Sequence, residues 1–182
     1  RIDAVYSEES DIIVPENPLK LEKIESIDFD NYSFSYPGSM VKSLDSFSIN
    51  VKAGETLGIA GTTGSEKATI IRQLLCQYKL GEGRIKINDS DITEYNVENI
   101  REHIAYVPQE HIVFSKTVYE NIKLGNISAS REDIMTAIEH ADFTKDIDTL
   151  TNGLETVTGE SGVMLSGGQK QRLSLARAFV RT

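Results

Sequence analysis

A single cysteine, Cys76, leaves the chain without a partner for an internal disulfide, which excludes a disulfide-stapled scaffold and suits a reducing compartment. Basic side chains are also scarce: 19 lysines and arginines against 28 carboxylates give a net charge of −9. That balance works against non-specific binding to DNA, RNA or an anionic membrane, so no nucleic-acid partner is expected. No apolar run approaches the roughly 18 residues of a membrane span, and the first residues lack the form of a signal peptide. His103, His111 and His140 show no metal-ligand spacing, and the spacing offers no Ser-His-Asp or Cys-His set. Internal repeats and low-complexity tracts are absent as well.

What is present suits a globular domain of 182 residues, with 39% apolar and 26% charged side chains. Residues 1–26 mix acids with Pro15 and Pro18 and read as a linker. Alternation then predicts strands at residues 27–29 and 32–36, closed by Pro37-Gly38, and again around Phe47, Ile49 and Val51. Residues 56–60 form an apolar run read as the strand before a glycine-bearing loop, and Ile70, Ile71, Leu74, Leu75 and Tyr78 predict the helix after it. Cys76 falls in that helix as a small packing residue. Residues 84–87 alternate as a strand, with Asp89 and Asp91 in a turn, and residues 104–107 read as a buried strand closed by Pro108-Gln109. From about 112 to 160 the pattern is helical, with a capping box at Ser130 and Asp133 before Ile134, Ile138 and Ala141. The expectation is an α/β fold: a β-rich core over 27–110, a helical subdomain over 111–163, and a final helical element over 164–182.

Two stretches carry chemistry. The first is Gly61-Thr62-Thr63-Gly64-Ser65-Glu66-Lys67-Ala68-Thr69, between the apolar run and a helix. In a P-loop, backbone N–H groups and a helix N-terminus converge on an anion, and a lysine adds a point charge. Gly61 and Lys67 fit the strict pattern, whereas Glu66 stands where the second glycine belongs and Ala68 where a hydroxyl belongs. The second is Leu165-Ser166-Gly167-Gly168-Gln169-Lys170-Gln171-Arg172. Ser166 and Gln169 have capping-box spacing, and the paired glycines open N–H groups to close approach. On pattern alone an ordinary capped helix is the better reading of this second stretch, and Tyr36 alone reads as an aromatic at a strand end.

Together with the P-loop, Leu165–Arg172 resembles the signature motif of ATP-binding-cassette (ABC) ATPases. Other stretches match in order. Tyr36 in Phe34-Ser35-Tyr36-Pro37 resembles the A-loop aromatic, and Gln109 in Tyr106-Val107-Pro108-Gln109 the Q-loop glutamine. Phe114–Val118 with Glu120-Asn121-Ile122, and Thr158–Gly162 with Ser161 where arginine is usual, are similar to exporter segments. The chain is thus identified as resembling the nucleotide-binding domain of an ABC exporter. The resemblance implies a P-loop NTPase core with an antiparallel β subdomain and an inserted helical subdomain. It further implies that Tyr36 stacks adenine, that residues 61–69 cradle the phosphates of ATP with Lys67 on the β/γ groups, and that Gln109 senses Mg²⁺. Ser166, Gly167, Gly168 and Gln169 would serve a nucleotide held by a second, facing domain. A transmembrane domain as partner and a place on the cytoplasmic face of a membrane follow from the same resemblance, and residues 1–26 would be the linker from that domain.

The departures set further expectations. A carboxylate at Glu66 about 5 Å from a phosphate charge, at an effective dielectric near 20, repels by roughly 3 kcal/mol at most, over a hundredfold in affinity. Ala68 cannot ligate Mg²⁺, and Thr69, about 100° further around the helix, is a poor substitute. No run of four apolar residues followed by an acid is found, so the chain is read as truncated before the Walker B strand and unable to hydrolyse ATP. The rival expectation is a non-hydrolytic domain that completes another subunit's ATP site in a heterodimer.

Overall fold

The computed structural model describes residues 15–62, 64–160 and 162–181. Most of the predicted linker, together with Thr63 and Ser161, lies outside them. The chain forms two compact units that divide between Ile104 and Ala105.

Alternating apolar residues build the first unit. Strands β1 (Ser26–Phe34), β2 (Leu44–Lys52), β3 (Glu82–Ile87) and β4 (Ser90–Asp91) form one antiparallel sheet in the order β2-β1-β3-β4. Phe29 lies opposite Ile49 on one side and Ile85 on the other, and Ile27 opposite Val51 and Ile87. Because successive side chains alternate faces, this register sends Phe29, Ile85 and Ile87 into one core. The two pieces read at 27–29 and 32–36 are a single strand, β1. An irregularity at Asn31, whose φ is 47°, shifts the register between Phe29 and Tyr32 and interrupts the alternation.

Helix α1 (Ala68–Leu74) is shorter than its apolar periodicity predicts. It stops because Cys76 adopts φ 48° and because Arg101, on α2 (Val97–Glu102), donates to the carbonyls of Leu75 and Cys76, each at 2.9 Å. The orphan carbonyls of a helix end need such donors. Cys76 is buried, though two positions beyond the helix rather than inside it.

Two expected strands do not form. Residues 56–60 and 104–107 are irregular, with Leu57, Ile59 and Tyr106 about 40% exposed. A strand exists only by pairing, and neither segment has a ladder partner among the described residues.

The second unit is helical: α3 (Val118–Lys123), α4 (Arg131–His140), α5 (Thr144–Thr149) and α6 (Gly167–Phe179). Among the described residues, three of these four α-helices start with a reciprocal capping box: Thr117 with Glu120, Ser130 with Asp133, and Ser166 with Gln169. Each box satisfies two otherwise orphaned backbone donors. Ile134 and Ile138 on α4 meet Ile122, Phe143, Leu173 and Ala176 in a second core. The carbonyl of Arg177 passes so close to Gly125 that a Cβ there would collide with it, which lets α3 end against α6.

Candidate functional site

The loop before α1 turns on three backbone choices. Gly64 has φ 84° and Glu66 has φ 57°, the left-handed region where glycine is the usual occupant. A Cβ on Gly61 would sit 2.5 Å from Ser65 Oγ, so a side chain at residue 61 would turn that hydroxyl away from its present place beside Lys67. The Lys67 ammonium lies within the loop, donating to the carbonyls of Gly61 and Thr62 at 2.8 Å each and to Ser65 Oγ at 3.2 Å.

The Glu66 carboxylate does not pair with Lys67. It accepts instead from the buried Thr69 hydroxyl at 3.1 Å, and Thr69 Oγ1 lies 2.8 Å from the Tyr36 hydroxyl. Arg72 Nη1 donates to the same Tyr36 oxygen at 2.9 Å. The half-buried Tyr36 ring stands perpendicular to Phe34 and Tyr78, with centroids 5.1 and 5.0 Å away. The structure thus joins Tyr36, which the sequence offers from the end of a strand, to the loop over 61–69. Arg72 was missed by sequence reasoning, although it lies three residues after Thr69 and therefore on the same side of α1.

This cradle fits the phosphates of a nucleotide: a lysine held by two loop carbonyls and a loop hydroxyl, a glycine beside that hydroxyl, and an aromatic ring tied to the loop. The same loop lacks a magnesium-ligating hydroxyl at the position where the P-loop pattern puts one. Ala68 has no oxygen, Ser65 Oγ is bonded to Lys67, and Thr69 Oγ1 is committed to Glu66 and Tyr36. No cluster of three metal-ligating residues occurs among the described residues. Gln109 belongs to the second unit, where it is exposed in a bend after Pro108. Thr63 lies outside the described residues.

In the second unit, Ser166 Oγ accepts the Gln169 N–H at 3.3 Å while Gln169 Oε1 accepts the Ser166 N–H at 2.9 Å. Both side-chain oxygens are spent on the cap. The backbone of Gly167 and Gly168 therefore forms the open end of α6, and a Cβ on Gly167 would meet nothing within 4 Å. Arg172 forms a two-pronged pair with Asp146 on α5, 2.6 and 3.0 Å, which holds the Asp146 carboxyl below its ordinary pKa. Asn121, completely buried, organises the segment before α3. Its Oδ1 accepts from the Phe114 N–H and from Arg177, and its Nδ2 lies 3.0–3.3 Å from the carbonyls of Phe114, Lys116 and Thr117. Arg177 also donates to the carbonyls of Ile112 and Asn121, and burial lowers its pKa. The sequence contained Asn121 within a recognised segment but gave no sign of this role.

The ABC transporter family model matches residues 44–182. A probable multidrug resistance ABC transporter ATP-binding/permease protein of Bacillus subtilis, YheI, is 46% identical over 180 residues, which is 99% of this chain and 31% of that protein. The mitochondrial iron-sulfur clusters transporter ATM1 of Candida glabrata is 38% identical over 92% of this chain and 23% of its own length. Among solved structures, that of a bacterial Atm1-family ABC exporter with ATP bound superimposes with a TM-score of 0.90 at 34% identity, covering 98% of this chain and 31% of that one. The chain therefore spans less than a third of these relatives.

Proposed function

Because the chain belongs to the ABC transporter family, as an exporter-type nucleotide-binding domain, we propose that it binds ATP and that its parent protein couples ATP binding and hydrolysis to transmembrane export. The observation that carries this reading is the hydrogen bond from Tyr36 to Thr69, which ties an aromatic platform to a loop that already gathers an ammonium group. Tyr36 stacks the adenine. Lys67 exchanges the Gly61 and Thr62 carbonyls for phosphate oxygens, and the backbone of residues 61–69 surrounds them. Mg²⁺ accompanies the nucleotide in this family, and Gln109 is its proposed contact; the loop itself contributes no hydroxyl ligand at Ala68. Residues 27–110, 111–163 and 164–182 are proposed as core, helical subdomain and signature element, preceded by a linker from a transmembrane domain. A second nucleotide-binding domain faces the open end of α6, and the assembly sits on the cytoplasmic side of a membrane.

A second reading has its own observation. The helix start at Ser166–Gln169 is fully capped, whereas position 66 holds a strained glutamate and position 68 an alanine. Such a chain would complete a partner's ATP site in a heterodimer while its own site stays silent, and in either case it would not hydrolyse ATP by itself.

Equilibrium titration with ATP, with and without Mg²⁺, separates the readings. The chain is expected to bind ATP with little dependence on Mg²⁺, and its Glu66→Gly/Ala68→Ser variant more tightly and with Mg²⁺ dependence. Binding by the variant alone would favour the silent-site reading. No binding by either would remove the ATP-binding reading, and Mg²⁺-dependent turnover by the unaltered chain would remove the non-hydrolytic one.

A further inference from the structure

The hydrogen bonds that hold Tyr36 have a direction fixed by proton count. An ionised carboxylate only accepts, so the Thr69 hydroxyl 3.1 Å from Glu66 Oε2 must donate to it. Thr69 then has no proton for Tyr36, so the Tyr36 O–H donates to Thr69 Oγ1 across 2.8 Å. That leaves the Tyr36 oxygen as an acceptor, and Arg72, which only donates, fills it from Nη1 at 2.9 Å. The result is one continuous chain, Arg72 to Tyr36 to Thr69 to Glu66, with a cation at its head and an anion at its foot.

We propose that this relay sets the pose of the Tyr36 ring, making Arg72 and Glu66 positioning residues for the stacking of a purine base. The inference rests on the reading of Tyr36 as the adenine platform. Phe34 and Tyr78 brace the ring edge to face, contacts that leave its hydroxyl to be placed by hydrogen bonds. The hydroxyl is the ring's directional anchor, and both of its hydrogen bonds go to side chains of one helix turn, Thr69 and Arg72. The Arg72 guanidinium also lies 5.9 Å from the ring centroid, so its charge steadies the same group by a second route. Glu66 acquires a function in this arrangement. Glycine at that position would offer no acceptor, the Thr69 proton would be released, and the chain would lose its direction. The residue that weakens the phosphate cradle therefore strengthens the base platform.

The test compares two probes, ATP and inorganic tripolyphosphate, on the whole chain and its variants. Arg72→Met is expected to weaken ATP at least about tenfold, the low end of what one charge-assisted hydrogen bond is worth, while tripolyphosphate changes less than about twofold. Arg72→Lys, which keeps the charge and a donor, should restore most of the ATP affinity, and it carries the test if the methionine variant fails to fold. In a Tyr36→Phe background, where no hydroxyl remains, Arg72→Met should add no further loss. Glu66→Gly should gain more affinity for tripolyphosphate than for ATP, because it removes a repelling charge and the relay's terminal acceptor, which takes the Thr69 proton, together. Equal losses for the two probes at Arg72, or a penalty that persists in the Tyr36→Phe background, would overturn the relay while leaving ATP binding intact. A wild-type chain that binds ATP no better than tripolyphosphate would remove the stacked base itself, and the relay with it.

Discussion

Glu66 holds a side chain at φ 57°, a conformation that costs an L-residue about 1–2 kcal/mol. The sequence shows the glutamate where glycine belongs, and the left-handed backbone is the physical reason that glycine belongs there. What the sequence does not show is where the carboxylate goes, since that depends on a threonine three residues away and on Tyr36, thirty residues earlier and just past the end of β1. Tyr32 poses the same kind of problem. It donates to Gln73 Oε1 at 2.5 Å and accepts the Gly81 N–H at 2.6 Å, joining residues 41 and 49 positions apart. Burial pushes its phenol up to about 12, against the opposing effect of the Gly81 bond. A raised folded pKa means stability that is complete below the unfolded value near 10 and lost as pH climbs toward 12. Unfolding free energy should accordingly fall by about 2–3 kcal/mol across that window beyond the loss seen in Tyr32→Phe. Parallel alkaline profiles for the two chains would contradict this.

Among elements, the helices of the second unit were the most legible. Ser130 with Asp133 and Ser166 with Gln169 are local signals, complete within four residues, and the structure contains both boxes. The strands at residues 56–60 and 104–107 were misread because an apolar run reports only a wish to be buried, and pairing is decided by distant chain. The segment before α3 lay beyond local reading for another reason: its order comes from Asn121 and Arg177, 56 residues apart. Asn121→Ala would leave the Phe114 N–H and an Arg177 N–H without their buried acceptor, at a cost of about 3 kcal/mol. Hydrogen exchange should show protection lost at the Phe114 amide while the α4 amides keep theirs. Unchanged exchange at Phe114 would mean the clasp does not hold that segment.

For the whole molecule, each of the two units has its own buried cluster, one around Phe29, Ile85 and Ile87 and one around Ile122, Ile138 and Leu173. Separate cores allow separate cooperativity. Ile138→Ala, which opens a cavity worth about 2–5 kcal/mol in the helical unit, should shift one calorimetric transition and leave the other in place. A single transition that moves as one would show the units to be thermodynamically joined. Cys76 offers an independent view of the sheet-bearing unit. It is the chain's single thiol, 4% exposed, and burial raises its pKa, so a thiol reagent in solution meets it only after the surrounding structure parts. The rate at which a large excess of alkylating agent consumes that sulfur is therefore a clock for spontaneous opening. Slowing of the clock on addition of ATP would register occupancy of the loop without any label, dye or assay of turnover.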